Sequence, residues 1–190
     1  EDINPRSPEL LEQWGKVAGH LTQTLQGFDH PEAHRFYKWN PSDTLYSKKY
    51  QSYIQGKEEQ ELASYFWNLF EQEALPQLPS LRKSVNYNDA HEHNLLADFN
   101  YKNPEITGVI DFGDALHTET INELAIACAY AGMHVPDPLE AAVHVVKGYH
   151  KIFPLEEKEL AVLLPLIGAR LMITVASAAW NKHQEPNNKY

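Results

Sequence analysis

Two short polar segments carry the residues whose types and spacing could do chemistry. The first, residues 87–94, reads YNDAHEHN and lies between two apolar segments with strand character. The second begins at Asp111, directly after the β-rich residues 108–110. Asp89, Asn94 and Asp111 together offer two carboxylates and one amide oxygen. Such hard oxygen ligands suit Mg²⁺, which takes one or two carboxylates and completes its coordination with substrate phosphates and water.

The same segments allow other interpretations. His91 and His93 form a His-x-His pair that would share one face of a strand, and Asp89 or Asp111 could complete the metal site of a hydrolase. Asp and Asn are also common in turns and caps without any function. Residues 108–113 have the G-x-x-x-x-G spacing of a phosphate-binding loop, but Asp-Ala follows where that loop needs Lys-Ser/Thr, so we set this match aside.

The segments must be positioned by a mainly α-helical fold with a small β region, of α+β class. Ser7-Pro8-Glu9 predicts a helix start, and apolar residues at spacings of three and four continue the helix to Leu25. We treat residues 1–190 as a single domain. The other predicted elements are an irregular connection with one short helix over 28–56, helices over 57–74, 122–133, 137–153, 155–164 and 166–183, and strands over 84–87, 95–97 and 105–110.

Charge and composition limit the classes of binding partner and the cellular compartment that we expect. The chain has 190 residues and a net charge of −10, which disfavours binding to nucleic acid. No basic-then-apolar leader pattern is visible, so we expect a cytoplasmic protein. Residues 160–180 are apolar enough to span a membrane, but Pro165 and Arg170 interrupt them, and we expect buried helices and no membrane contact. Arg170 is expected to pair with a buried acid.

The two segments resemble the paired motifs of the aminoglycoside phosphotransferase and choline kinase superfamily, whose members phosphorylate small alcohols. The first motif of that family usually reads His-Gly-Asp or His-Asn-Asp, then four residues and Asn, and the second reads Ile-Asp-Phe or Ile-Asp-Trp. Here the segments read YNDAHEHN and VIDFGD over 87–94 and 109–114. The later ELAIA at 123–127 resembles the hydroxylysine kinase-like branch. The resemblance implies the C-terminal lobe of the protein-kinase-like fold.

The resemblance also implies a role for each matching residue. Asp89 would orient the acceptor hydroxyl and take its proton. Asn94 and Asp111 would hold the Mg²⁺ that bridges the phosphates of ATP. Glu123 would have a structural role, tying a helix to the catalytic loop.

Four further positions are candidates for loop support or substrate contact. Tyr87 stands where the family has His, and it could support the loop through its ring and hydroxyl. His93 could hold the loop by hydrogen bonds. Glu92 and Asp114 would add negative charge near the site, and Asp114 could contact metal or an amine. Such an acidic site predicts a small cationic, hydroxyl-bearing substrate, namely an amino alcohol, a hydroxy amino acid or an aminoglycoside-like compound.

The chain departs from the family pattern in its first ~80 residues, which read as helix and loop. A strand-rich nucleotide lobe with a Gly-rich loop and a strand lysine is not recognisable there. We therefore expect the chain to be the C-terminal lobe alone, with the N-terminal lobe elsewhere in the same or a parent chain. The isolated 190 residues should then be inactive in phosphoryl transfer, because both lobes fix the phosphates. The alternative of a non-catalytic pseudokinase module, favoured by Tyr87, stays open.

Overall fold

The computed structural model describes residues 6–98, 100 and 102–187, and this part of the chain is mainly helical with a small β region, which confirms the predicted fold class. Its helices and strands follow in the order α1 (Pro8–Leu25), α2 (Lys57–Leu69), β1 (Lys83–Asn86), β2 (Leu95–Ala97), β3 (Ile106–Val109), β4 (Leu116–Glu119), α3 (Ile121–Ala131), α4 (Pro138–Ile152) and α5 (Glu157–Gln184).

Helix α1 begins as predicted and packs closely against α4. The Ser7 side chain accepts a hydrogen bond from the backbone N–H of Leu10 at 3.2 Å, which caps the helix. The two helices approach through glycines. A Cβ at Gly15 would lie 1.9 Å from the carbonyl oxygen of Val145, and a Cβ at Gly148 would lie 2.0 Å from that of Glu12. The backbones of α1 and α4 are therefore in direct contact.

Helix α3 runs through the centre of the core. Ten of its eleven residues are buried, and it packs against α1, α4 and α5. An isolated helix of this composition would expose apolar side chains on every face, so burial on all sides is what stabilises it. The predicted bounds of 122–133 differ from the observed ones by one or two residues.

The strands form two antiparallel pairs, β1 with β4 and β2 with β3. Strand β4 was not predicted, because its sequence LHTE is mostly polar and resembles a loop. Pairing with β1 buries it, and the carboxylate of Glu119 is satisfied by Lys83 at 2.9 Å and by the hydroxyl of Ser42 at 2.5 Å. Local apolar alternation could not reveal a strand that is buried through polar contacts.

The prediction of two helices over 155–164 and 166–183 is wrong, because α5 is continuous through Pro165. A proline inside a helix removes one backbone hydrogen bond and costs about 3 kcal/mol. Here Val162, Leu166 and Ala169 are buried on both sides of Pro165, and this packing holds the two halves as one helix. By length and composition α5 could cross a membrane, but 56% of its most apolar 18-residue window is buried inside the protein.

The connection over 28–56 is more ordered than predicted. It contains a short 3₁₀ turn at Pro31–Ala33 and a 13-residue 3₁₀ segment at Pro41–Tyr53. The long segment packs along α5, where the hydroxyl of Thr44 donates to the carbonyl of Ala169 at 3.0 Å. This connection leads the chain across the end of the site described next.

Candidate active site

The loop over 87–94 connects β1 to β2 and is held from the helical core. The indole N–H of Trp14 in α1 donates to the carbonyl of Ala90 at 2.8 Å. The buried carboxylate of Glu123 in α3 accepts the backbone N–H of Asn88 at 2.9 Å. Asn88 has a φ of 69°, a left-handed conformation that Asn tolerates better than most residues. These contacts fix the shape of the loop around Asp89.

Asp89 receives hydrogen-bond donors on both carboxylate oxygens. Its Oδ1 accepts from Nη2 of Arg170 at 3.1 Å, and its Oδ2 accepts from Nδ2 of Asn94 at 2.7 Å. Nε2 of His91 lies 3.3 Å from Oδ2. Because Nδ1 of His91 accepts the backbone N–H of His93 at 3.1 Å, Nε2 is the nitrogen that carries the proton. The acid expected to pair with Arg170 is thus Asp89 itself.

These donors also set the protonation of Asp89. Burial raises the pKa of its carboxyl, but the contacts with His91, Arg170 and Asn94 outweigh burial and hold the pKa below the ordinary value. Asp89 is therefore ionised at neutral pH. A carboxylate in this state can accept a hydrogen bond from a hydroxyl group and fix its direction.

The β2–β3 hairpin brings Asn94 next to the second motif. Leu95 pairs with Val109, and the backbone N–H of Ile110 donates to the carbonyl of Asn94 at 3.0 Å. The hydroxyl of Tyr87 donates to the carbonyl of Ile110 at 2.5 Å, so the residue at the unusual first-motif position ties the two motifs together. Asp111 follows immediately, with a φ of 60° and an exposed side chain.

Asn94 and Asp111 have the donor atoms that Mg²⁺ requires. Since Nδ2 of Asn94 is directed to Asp89, its Oδ1 is the atom left for a cation. Oδ1 of Asp111 accepts the backbone N–H of Gly113 at 3.1 Å, which orients this carboxylate and leaves Oδ2. One exposed carboxylate and one amide oxygen fit a cation that keeps waters and binds phosphates. These two residues remain predicted ligands.

The His-x-His hydrolase alternative loses its basis in this geometry. Both ring nitrogens of His91 are engaged, one with Asp89 and one with the backbone of His93. Across residues 6–98, 100 and 102–187, no three His, Cys, Asp or Glu side chains are grouped as a metal ion would need. His93 contributes its backbone N–H to the loop, whereas the ring that contacts Asp89 is that of His91, which the sequence did not single out for this role.

Glu92 forms an ion pair with a residue outside the two motifs. Its Oε1 is 3.5 Å from Nη2 of Arg6, and Nη1 of Arg6 donates to the carbonyl of Tyr130 at the end of α3 at 2.8 Å. Glu92 therefore links the loop to α3 through Arg6. That Glu92 adds negative charge near the site stays a prediction.

The segment over 35–39 also contributes residues to the site, and of these Tyr37 was not singled out from the sequence. The hydroxyl of Tyr37 donates to Oδ1 of Asp114, and the carbonyl of Trp39 accepts from Nη1 of Arg170 at 2.6 Å. Burial raises the pKa of Asp114, and the charge of Asp89 acts in the same direction. Asp114 thus lies close enough to Asp89 to sense its charge.

Replacing Glu123 by Gln should flatten the pH dependence of stability. Burial raises the pKa of Glu123 from 4.5 to about 7, so between these values the folded state holds a proton that the unfolded state has lost. The free energy of unfolding of the wild type then falls as pH rises through this interval, by about 3 kcal/mol in total. Gln cannot ionise, yet its oxygen can still accept the N–H of Asn88.

Urea unfolding at pH 5, 6, 7 and 8 measures this effect. The Glu123→Gln variant should gain stability relative to wild type with each step. Glu123→Ala is the control, because it loses the hydrogen bond to Asn88 and should be destabilised at every pH. Parallel curves for wild type and the Gln variant would contradict the assignment of the titrating group.

The chain is similar in sequence to known proteins. Residues 1–158 match the sequence model of the phosphotransferase enzyme family. Curated relatives include the hydroxylysine kinases of Mus musculus and Danio rerio, 25% and 30% identical over 192 residues. These alignments cover 96% of this chain and 51% and 53% of the relatives, so the chain spans about half the length of the curated relatives it matches.

Solved structures share the fold. An amicoumacin kinase in complex with AMP-PNP and Ca²⁺ matches with a TM-score of 0.65 at 17% identity, over 95% of this chain and 54% of that one. A microcompartment-associated aminopropanol kinase matches with a TM-score of 0.63 at 19% identity, over 95% and 63%.

Proposed function

Because the chain belongs to the phosphotransferase enzyme family, we propose that it carries the catalytic loop and metal ligands of a kinase. The enzyme would transfer the γ-phosphoryl group of ATP to a hydroxyl group of a small cationic acceptor. This membership confirms the resemblance inferred from the two motifs. The observation that carries the proposal is the ionised carboxylate of Asp89, which faces donors from Asn94, Arg170 and His91. The β2–β3 hairpin joins the backbone of Asn94 to that of Ile110, the residue before Asp111.

In this reaction Asp89 accepts the hydrogen bond of the acceptor hydroxyl and directs its oxygen at the γ-phosphorus. A new phosphorus–oxygen bond forms, the bond to ADP breaks, and the hydroxyl proton leaves through Asp89. Asn94 and Asp111 would hold Mg²⁺, which when bound neutralises charge on the phosphates. The chain's own contribution is alignment and electrostatic stabilisation, as expected for phosphoryl transfer.

Negative charge around the site supports a cationic acceptor. Asp89, Asp111 and Asp114 lie in the two motifs, and Asp114 is half-buried under the hydroxyl of Tyr37. The whole chain has a net charge of −10, which attracts cations and repels anions. The relatives named hydroxylysine kinase and aminopropanol kinase act on amines that also carry a hydroxyl group, by their names. We place the nucleotide-covering lobe outside these 190 residues.

An acceptor screen on the full-length protein with MgATP tests the proposal. Each amine is matched with a neutral partner of similar size, 1-amino-2-propanol with 1,2-propanediol and hydroxylysine with a neutral sugar. We expect ADP formation with the amines and none above background with the neutral compounds. Turnover of the neutral compounds alone would overturn the cationic acceptor. A folded protein that binds MgATP but turns over no acceptor would favour the pseudokinase alternative.

A further inference from the structure

Arg170 reaches the catalytic loop from the middle of α5, more than 80 residues along the chain from Asp89. We propose that Arg170 is a positioning residue that makes Oδ1 of Asp89, and not Oδ2, the atom that receives the acceptor hydroxyl. This inference rests on the proposed kinase function.

The guanidinium group of Arg170 is immobilised. The side chain is 3% exposed. Its Nη1 donates to the carbonyl of Trp39 at 2.6 Å, and its Nη2 donates to the hydroxyl of Tyr130 at 3.2 Å and to Oδ1 of Asp89 at 3.1 Å. Both N–H groups of Nη2 are therefore in use, and rotation of the guanidinium plane would break two contacts at once.

Two aromatic rings restrict the same group further. The guanidinium carbon lies 5.5 Å from the ring centre of Trp39 and 5.4 Å from that of Tyr130. These distances are within the range of cation–π attraction. The guanidinium group, which α5 carries, is thus held by Tyr130 at the end of α3 and by Trp39 just before the 3₁₀ segment Pro41–Tyr53.

The donors around Asp89 leave one oxygen available. A carboxylate offers about four lone-pair directions, two on each oxygen. Oδ2 already faces Asn94 and His91, whereas among the described residues Oδ1 faces only Arg170. A substrate hydroxyl can therefore donate to Oδ1 without displacing a protein group. Since Arg170 fixes the place of this oxygen, it also fixes the place of the attacking hydroxyl.

Kinetics of full-length Arg170→Met and Arg170→Lys test the inference. Loss of the guanidinium group should let Asp89 shift, and a misplacement of ~1 Å costs roughly 10²-fold in rate. We therefore expect kcat of Arg170→Met to fall by about 10²-fold, while KM for ATP changes little. Lys should recover part of kcat, because it supplies one donor and the charge but no planar fork. Arg82→Met is the matched control: it breaks a second arginine pair, with the buried Glu159, and should leave kcat unchanged.

A double-variant cycle separates positioning from a purely structural role. In an Asp89→Asn background, Arg170→Met should lower kcat little further, because the group on which it acts is already lost. An equal loss in both backgrounds would show that Arg170 serves the fold alone, and this would overturn the inference.

Crystal structures of the full-length wild type and of both Arg170 variants give a readout that needs no activity. We expect the Asp89 carboxylate to leave its wild-type position in Arg170→Met, or in Arg170→Lys if the Met variant does not fold. An unmoved Asp89 would overturn the inference. A wild type that phosphorylates nothing, together with a displaced Asp89 in the variants, would reject the kinase function and sustain the positioning role.

Discussion

Replacing Asp89 by Asn in the full-length protein is expected to lower kcat by about 10²- to 10⁴-fold, the usual contribution of a positioned acid or base. The amide nitrogen of Asn donates and cannot accept, so the single oxygen of Asn cannot replace both carboxylate oxygens of Asp89, one facing Asn94 and His91 and the other facing Arg170. The acceptor hydroxyl then loses the group that orients it. Steady-state kcat and KM with the best acceptor of the screen measure the loss, and nucleotide binding should persist.

Asp137→Asn is the control for this substitution. It makes the same chemical change at the N-cap of α4, where the Asp137 side chain accepts the backbone N–H of Glu140 at 2.9 Å. Asn caps a helix about as well as Asp, so this variant should behave as wild type. A kcat for Asp89→Asn within a few fold of wild type would remove Asp89 from the reaction.

Replacing Asp111 by Asn should abolish most of the response to Mg²⁺. Asn tolerates the left-handed backbone that this position requires, so the change removes the charge and keeps the chain path. A bound metal supplies several kcal/mol of charge stabilisation in the transition state, which corresponds to about 10³-fold in kcat. Titration of activity with free Mg²⁺ should show both a lower maximum and a higher half-saturating concentration than for wild type.

Asp114→Asn provides the contrast to this prediction. Asp114 lies three residues further on and contacts Tyr37, and we propose that it faces the acceptor and not the metal. Its neutralisation should raise KM for an amine acceptor and leave the Mg²⁺ requirement close to that of wild type. If both variants changed the Mg²⁺ requirement equally, the division between metal and acceptor residues would be wrong.

The elements with local signals were predictable from the sequence. The cap at Ser7 and the apolar stripe that follows located α1, and both motifs were visible because each lies within a few consecutive residues. The prediction was wrong at Pro165, where the local cost of a proline is outweighed by core packing on both sides. Strand β4 was missed for a related reason, since its polar residues are satisfied only by distant partners.

In the candidate site, too, contacts between distant parts of the chain were not predictable from local sequence patterns. Asp89, Asn94 and Asp111 were predicted from their residue types and from the resemblance of two short motifs, whereas Tyr37 and Trp39 reach the site from a connection that has no periodic pattern. The sequence did indicate that Arg170 needs an acid, because a charge inside an apolar helix must be paired. It could not say which acid, since the choice among carboxylates depends on how α5 packs against the loop.

The contact between α1 and α4 bears on how tolerance to substitution should be interpreted. Any side chain at Gly15 or Gly148 would overlap a carbonyl group of the opposite helix, so these positions admit no alternative residue without separating the helices. A saturation scan scored by survival would mark both glycines as strongly as it marks Asp89. Yet neither glycine has a functional group. Invariance in such a scan would report steric exclusion at Gly15 and Gly148 but chemistry at Asp89.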